Sequence, residues 1–158
     1  MAPRYVRRVL QPEETIVHAA GLHWRVYVQA LLFLALCAGL AIMAIAFAGE
    51  RPGLGLALWI AAGIFLLLTM SAGLEAFVRR ATTEFAITDR RVIYKTGLLR
   101  RHTLEMSRGR IESVDVDQSI LGRILGYGTI TVRGTGGGLE PIRNVADPLR
   151  FRTWITMA

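Results

Sequence analysis

The 158-residue sequence contains a single cysteine, and two long stretches of it contain no charged residue. With Cys37 alone, no intramolecular disulfide can form and no cysteine-based metal site is expected. Residues 26–48 and 54–74 lack Asp, Glu, Lys and Arg, and the break between them contains two glycines and a proline. A helix of such length crosses the ~30 Å hydrocarbon core of a bilayer. The absence of charge therefore predicts a transmembrane helical hairpin, with spans at about 26–48 and 54–75.

Ionisable groups deep in these spans are also missing. Gln29, Thr69 and Ser71 are polar but uncharged, and Glu75 lies at the inner end, four residues before Arg79. A proton relay or substrate path normally places several ionisable groups inside the bilayer, and two helices cannot enclose an alternating-access site. We therefore expect an anchor rather than a pathway. Small residues at four-residue spacing could allow close packing within the hairpin or between protomers: Ala35, Gly39, Ala57 and Ala61.

The distribution of Arg and Lys predicts the orientation of this hairpin. Four Arg precede the first span and fourteen Arg or Lys follow the second, whereas the intervening loop has only Arg51, offset by Glu50. By the positive-inside rule, both termini are cytoplasmic. A cleaved signal peptide is the alternative, because residues 46–48 read small-x-small, but signal peptides have apolar regions of about 7–15 residues.

Net charge differs between the two halves of the chain. Residues 1–78 carry a net charge of +1 and residues 79–158 a net charge of +6, which together make the +7 of the whole chain. A basic tail suits nucleic acid, anionic lipid or the cytoplasmic flank of a membrane. The membrane interpretations are favoured because the tail begins at a membrane exit, and no nucleic-acid-binding motif is present. We divide the chain into a cytoplasmic leader (1–25), the hairpin (26–77) and one small cytoplasmic domain (81–158).

The hydrophobic period changes from helical to two after residue 80, which indicates an antiparallel meander. A short helix is predicted at 119–126, where Ser119 can cap it and Gly126 can end it, and a final helix begins at Asp147-Pro148. The predicted strands are 82–88, 91–95, 98–106, 112–117, 129–133 and 139–145.

Several of these segments resemble the bacterial pleckstrin-homology (PH)-like membrane proteins. The resemblance rests on residues 88–99, 110–119 and 125–130, on Asp147-Pro148, and on Glu14-x-Ile16 and Trp24 in the leader. It implies an α+β membrane protein of the bacterial cytoplasmic membrane. In that fold the hairpin is followed by a PH-like antiparallel β barrel or bent sheet with a short C-terminal helix. The resemblance implies no biochemical activity and supplies no catalytic residues.

A basic cluster is the first candidate site, because cations near an anionic leaflet attract phospholipid headgroups. General basicity of a cytoplasmic flank is the alternative explanation. The candidate contacts for anionic lipid or a partner are Arg79, Arg80, Arg90, Arg91, Lys95, Arg100, Arg101 and Arg123.

The predicted short helix and the acidic strand before it are two further candidate sites. Residues 120–125 combine an apolar side with Arg123, which suits shallow membrane contact or a partner surface, whereas closing one end of the barrel is the structural alternative. Asp115 and Asp117 share a strand face with Glu112 nearby, but alternating polar positions are expected on a half-exposed strand. The three histidines lack metal-ligand spacing.

These observations predict a membrane-anchored PH-like binding or scaffold module rather than an enzyme. It would mediate protein–protein interaction or self-association at the inner leaflet, for example as an accessory subunit of a membrane complex. The alternative is sensing of anionic phospholipid headgroups through the basic face. No cofactor, metal, nucleic acid or small-molecule substrate is expected.

Overall fold

A computed structural model of the chain describes residues 5–98, 102–135, 137–138 and 141–156. It divides into two compact units, one formed by Met1–His23 with Arg79–Ala158 and the other by Trp24–Val78. In chain order the elements are α1 (Val6–Val9), β1 (Ile16–Ala20), a 3₁₀ turn (Trp24–Tyr27), α2 (Val28–Phe47), α3 (Pro52–Thr82), β2 (Glu84–Thr88), β3 (Arg91–Thr96), β4 (His102–Ser107), a 3₁₀ turn (Arg108–Arg110), β5 (Ile111–Asp117), α4 (Ile120–Leu125), β6 (Tyr127–Gly134), β7 (Gly137–Gly138), β8 (Ile142–Ala146) and α5 (Pro148–Thr156).

The helical unit contains two helices long and apolar enough to cross a membrane, Trp24–Phe47 and Pro52–Thr82. Pro52 occupies the first position of α3, where its missing N–H costs no hydrogen bond. Within the most apolar 18-residue stretch of each helix, only 6% of the first and 11% of the second is buried. Their large aliphatic side chains are thus exposed on most sides, unlike those of a helix in a soluble core.

Small residues bring α2 and α3 together. A Cβ added to Gly55 would lie 3.2 Å from the Cα of Ala48, and Ala44 and Ala62 are buried. The Cys37 thiol donates to the carbonyl of Ala62 at 3.3 Å. The small residues singled out from the sequence are exposed or partly exposed: Ala35, Gly39, Ala57 and Ala61. The contact within the hairpin therefore uses other small residues than those four.

The strands of the other unit form two antiparallel sheets. Sheet A has the order β1-β2-β3-β4, with Ala20 opposite Phe85 and Glu84 opposite Lys95. Sheet B has the order β5-β6-β7, and β8 also pairs with β6. Four of the predicted strands and the predicted helix before β6 agree with β2, β3, β5, β6 and α4 to within two residues at each end.

Period-two alternation places one face of each sheet in a shared core. Sheet A contributes Phe85, Ile87 and Val92, and α5 covers the core with Phe151 and Ile155. The rings of Phe85 and Phe151 stack with their centroids 4.1 Å apart. Sheet B contributes Val114, Ile130, Val132, Ile142 and Val145.

The α+β class is confirmed, but the expectation of a barrel is corrected, because the two sheets do not close. Among the described residues β4 pairs only with β3, and β5 pairs only with β6. The 3₁₀ turn Arg108–Arg110 separates β4 from β5 and redirects the chain between them. Both strands therefore keep one edge without a ladder partner in this part of the chain.

The leader contributes a strand that the sequence analysis did not predict. β1 pairs with β2, so two neighbouring strands of one sheet are separated in the amino-acid sequence by the whole helical hairpin. On the opposite face of sheet A, Val6 of α1 is completely buried against Ala86 and Ile93. Both faces of β2 are therefore covered, and the leader supplies the second cover.

Candidate functional site

Those candidate cations that the structure describes do not form one face. Arg79 and Arg80 are exposed near the start of β2, and Lys95 lies beside that start because it pairs with Glu84. Arg90 lies in the turn at the other end of β2, 4.0 Å from Asp89. A strand rises about 3.3 Å per residue, so these two groups are separated by roughly 13 Å or more. Arg123 is exposed on α4, and Arg100 and Arg101 fall outside the described residues.

Arg91 holds the leader onto sheet A rather than presenting its charge to solvent. Its Nε and Nη2 donate to the two carboxylate oxygens of Glu14 at 2.9 and 2.8 Å. Its Nη1 donates to Glu105 at 2.7 Å, and Nη2 also donates to the carbonyl of Val9 at 2.8 Å. Such bidentate pairing fixes both side chains in one geometry.

Glu14 has a fully buried side chain and stays ionised within this network. Burial by itself raises the pKa of its carboxyl group, but hydrogen bonds from Arg91, the Gln11 amide and the Thr88 hydroxyl outweigh that effect. Together they lower the pKa to about 2. The Thr88 hydroxyl donates at 2.7 Å and the Gln11 N–H at 2.8 Å, so the buried charge is well satisfied.

The short helix α4 carries the most conspicuous exposed surface of the described β-sheet unit. Ser119 caps it by accepting from the Gly122 N–H at 3.1 Å, and Gly126 ends it at φ 73°. Gly122 has no room for a side chain, because a Cβ would lie 2.7 Å from the Tyr127 carbonyl oxygen. Gln118 donates to that same oxygen at 3.0 Å. The helix is thus fixed at both ends.

Four large apolar side chains project from α4 into solvent. Their exposed fractions are 83% for Ile120, 61% for Leu121, 74% for Ile124 and 44% for Leu125. We call these four residues the apolar face of α4. Of the helix itself only Gly122 is buried, so α4 does not close the end of the core. Each large aliphatic side chain left in water forgoes roughly 1.5–3 kcal/mol relative to full burial.

The C-terminal end of α4 lies beside the last residue of the leader's part of this unit, His23. The rings of His23 and Tyr127 have centroids 5.5 Å apart, and Tyr127 directly follows the cap of α4. The His23 N–H also donates to the Asn144 carbonyl at 2.7 Å, and Leu22 bridges to Val145. His23 is the last residue before the apolar helix that starts at Trp24. The C-terminal end of α4 is therefore held close to this end of the leader.

One acidic residue of β5, Asp115, has an ordinary role within the sheet. Asp115 forms an ion pair with Arg133 on the neighbouring strand at 3.1 Å, and both side chains are well exposed. Over the residues that the structure describes, no group of three His, Cys, Asp or Glu is arranged to hold a metal ion. His18 packs instead against the rings of Phe151 and Trp154, and burial lowers its pKa.

Comparison with known families agrees with this architecture. The family model of the bacterial PH domain matches residues 26–158. The chain belongs to the bacterial PH domain family. This match confirms the resemblance seen in the sequence. It suggests a binding or scaffold module as the general function class. The PH domain family is typically non-catalytic. No curated protein and no solved structure gives a significant match.

The match begins at residue 26, so it leaves out the leader that completes this PH domain with β1 and Glu14. Sequence reasoning missed that contribution. The available signal was a short apolar run, Ile16-Val17, directly after the acidic pair Glu13-Glu14. Five residues ending in two alanines give only a weak strand pattern.

Proposed function

We propose that this bacterial PH domain protein is anchored in the inner membrane by its helical hairpin, with both termini on the cytoplasmic side. The pairing of β1 with β2 supports this topology. Because the segments before and after the hairpin build one sheet, they must lie on the same side of the membrane, which requires an even number of spans. The Arg-rich flanks favour the cytoplasmic side. Cleavage after residue 48 would remove β1, which argues against a signal peptide.

At the inner leaflet, the PH domain serves as a scaffold that binds a protein partner. The observation that carries this proposal is the open arrangement of the sheets, which leaves β4 and β5 with one unladdered edge each within the described residues. An extended segment of a partner can add to such an edge through main-chain hydrogen bonds. Self-association through the same edge is an outcome that the experiment distinguishes.

Site-specific photocrosslinking in the full-length, membrane-embedded protein tests this proposal. A photoreactive residue replaces His102 or Ser107, which are exposed on β4, and Arg143 is the matched control because it is exposed on β8. We expect crosslinks to a distinct protein from the β4 positions and few from position 143. A crosslinked dimer would assign the edge to a second copy. Equal or absent crosslinking at all three positions would contradict the use of this edge.

Recognition of anionic headgroups is the second candidate, favoured by the exposed Arg79 and Arg80 near the start of β2. Replacing both by Ala should reduce the anionic lipid that co-purifies in native polymer discs, measured by mass spectrometry. Arg90→Ala is the control, because it lies at the other end of the strand. Arg91 is unsuitable as a test of lipid binding, since its loss would leave Glu14 unpaired. Unchanged lipid composition in the double variant would reject this candidate.

A further inference from the structure

The apolar face of α4 has no structural task in the domain that exposes it. Its side chains are absent from both hydrophobic clusters of the described core. They are nevertheless held in place, because Ser119 and Gly126 cap the helix and Gly122 fits closely against Tyr127. A fixed helix that presents four large aliphatic side chains is a surface built for an apolar environment.

Position along the chain indicates which environment that is. Tyr127, next to the end of α4, contacts the ring of His23, and the following residue, Trp24, begins the first membrane-length helix. This step rests on the proposed function, in which His23 lies at the inner surface of the membrane. Six helical residues span about 9 Å, so the whole of α4 is within reach of the same surface.

The positive charge of α4 itself suits an anionic bilayer, and the nearest acidic residue before the helix is the exposed Asp117, two residues ahead of the cap Ser119. Arg123 is exposed in the middle of the helix, and the helix contains no acidic residue. Asp147 lies next to the end of α4, because its backbone N–H donates to the Gly126 carbonyl. Its carboxylate is 4.0 Å from the guanidinium of Arg150. Long cationic side chains keep their charge at the phosphate level while their stems and neighbours enter the apolar layer.

We propose that α4 is a membrane-insertion element whose apolar face enters the interfacial layer of the inner leaflet, with Arg123 at the headgroup phosphates. The hairpin and α4 then form two separate attachments, and the second restricts the rotation of the PH domain about its anchor. A restricted orientation would present the β4 edge in a constant direction.

Spin-label accessibility in nanodiscs tests this inference on the full-length protein. In a Cys37→Ser background, single cysteines replace Ile124 on α4, Leu67 in α3 or Glu112 on β5, all three exposed. We expect the label at 124 to be several-fold more accessible to oxygen, relative to a water-soluble nickel complex, than the label at 112. The depth should increase when phosphatidylglycerol is added to phosphatidylcholine, and Arg123→Glu should reverse that increase.

The three label positions separate the possible failures. An aqueous label at 124 with a lipid-exposed label at 67 would overturn insertion of α4 and leave the anchor intact. Aqueous labels at both positions would overturn the proposed anchoring and this inference together. An immobilised label at 124 that is shielded from both reagents and shows dipolar coupling between copies would assign the face to a second copy instead. Equal depth in both lipid mixtures would remove the charge-dependent part of the proposal.

Discussion

The leader and α4 use apolar residues in opposite ways. The leader lies outside the region matched by the bacterial PH domain family, yet its Val6 is completely buried and its Glu14 is enclosed by hydrogen bonds. α4 lies within the matched region, yet its apolar face is left exposed by the rest of the domain. Hydrophobicity and family membership therefore do not decide which residues build the core. A residue belongs to the core when a second element packs against it, as sheet A packs against the leader. Substitutions in the leader and in α4 should therefore differ in their effect on stability.

Removing the leader should have the largest effect. Deletion of residues 5–20 takes away β1, the cover formed by α1 and the partner of Arg91. We expect the PH domain to lose its cooperative fold, measured as loss of amide hydrogen-exchange protection in β2 and β3. The double variant Glu50→Ala/Arg51→Ala in the hairpin loop is the control and should keep that protection. Protected β2 and β3 amides in the deletion variant would contradict the structural role of the leader.

Breaking the buried ion pair should cost less but still a large part of the stability. Glu14→Ala leaves the Arg91 guanidinium without its bidentate partner, and we expect a loss of about 3–5 kcal/mol in the free energy of unfolding. Asp115→Ala breaks the exposed pair with Arg133 and should cost at most about 1 kcal/mol. Denaturant titration of both variants in nanodiscs gives the comparison. Similar losses in the two variants would show that burial of Glu14 is not the decisive factor.

Acid should weaken the same contact in the unchanged protein. The pKa of Glu14 is lowered from an ordinary 4.5 to about 2, so its contribution is complete above pH 4.5 and is lost as the pH falls toward 2. The loss amounts to roughly 3 kcal/mol, since one pKa unit corresponds to about 1.4 kcal/mol. We expect Glu14→Gln to lack this step in a plot of unfolding free energy against pH. A variant that keeps the full step would assign the acid sensitivity to other groups.

Substitution on the apolar face of α4 should have the smallest effect on stability. Ile124→Ala shortens an exposed side chain of α4 and should change the free energy of unfolding by about 1 kcal/mol or less, because the interfacial layer removes this side chain only partly from water. Ile130→Ala creates a cavity in the core and should cost about 2–5 kcal/mol. The two variants carry the same chemical change and differ in burial. A loss near that of the core variant would mean that α4 contributes to the fold.

Much of the fold was predictable because its signals are local. The two uncharged runs predicted α2 and α3, and the alternation around Phe85 and Ile87 predicted β2. Ser119 and Gly126 predicted both ends of α4, because a cap depends on residues only a few positions away. The predicted carboxyl-terminal helix begins at Pro148 as expected.

The features that the sequence did not reveal depend on contacts between residues far apart in the chain. Arg91 stood among the candidate lipid contacts because its sequence neighbours are basic, whereas its partner Glu14 is 77 positions earlier. The strand β1 was missed since its pairing partner lies beyond the whole hairpin. The gap between β4 and β5 was also invisible, because a resemblance to a barrel-like family does not specify which neighbouring strands stay unpaired.

The amino-acid sequence was sufficient to predict most of the helices and strands, the length and apolar character of the hairpin helices, and membership of the bacterial PH domain family. The first two follow from composition and short-range periodicity, whereas family membership follows from the resemblance carried by residues 88–99, 110–119 and 125–130. The folded structure was needed to show that the leader belongs to the PH domain, that Arg91 pairs with two carboxylates and that the apolar face of α4 stays exposed. The physical reason is that burial depends on which surfaces meet, and surfaces far apart in the chain meet only in the folded molecule.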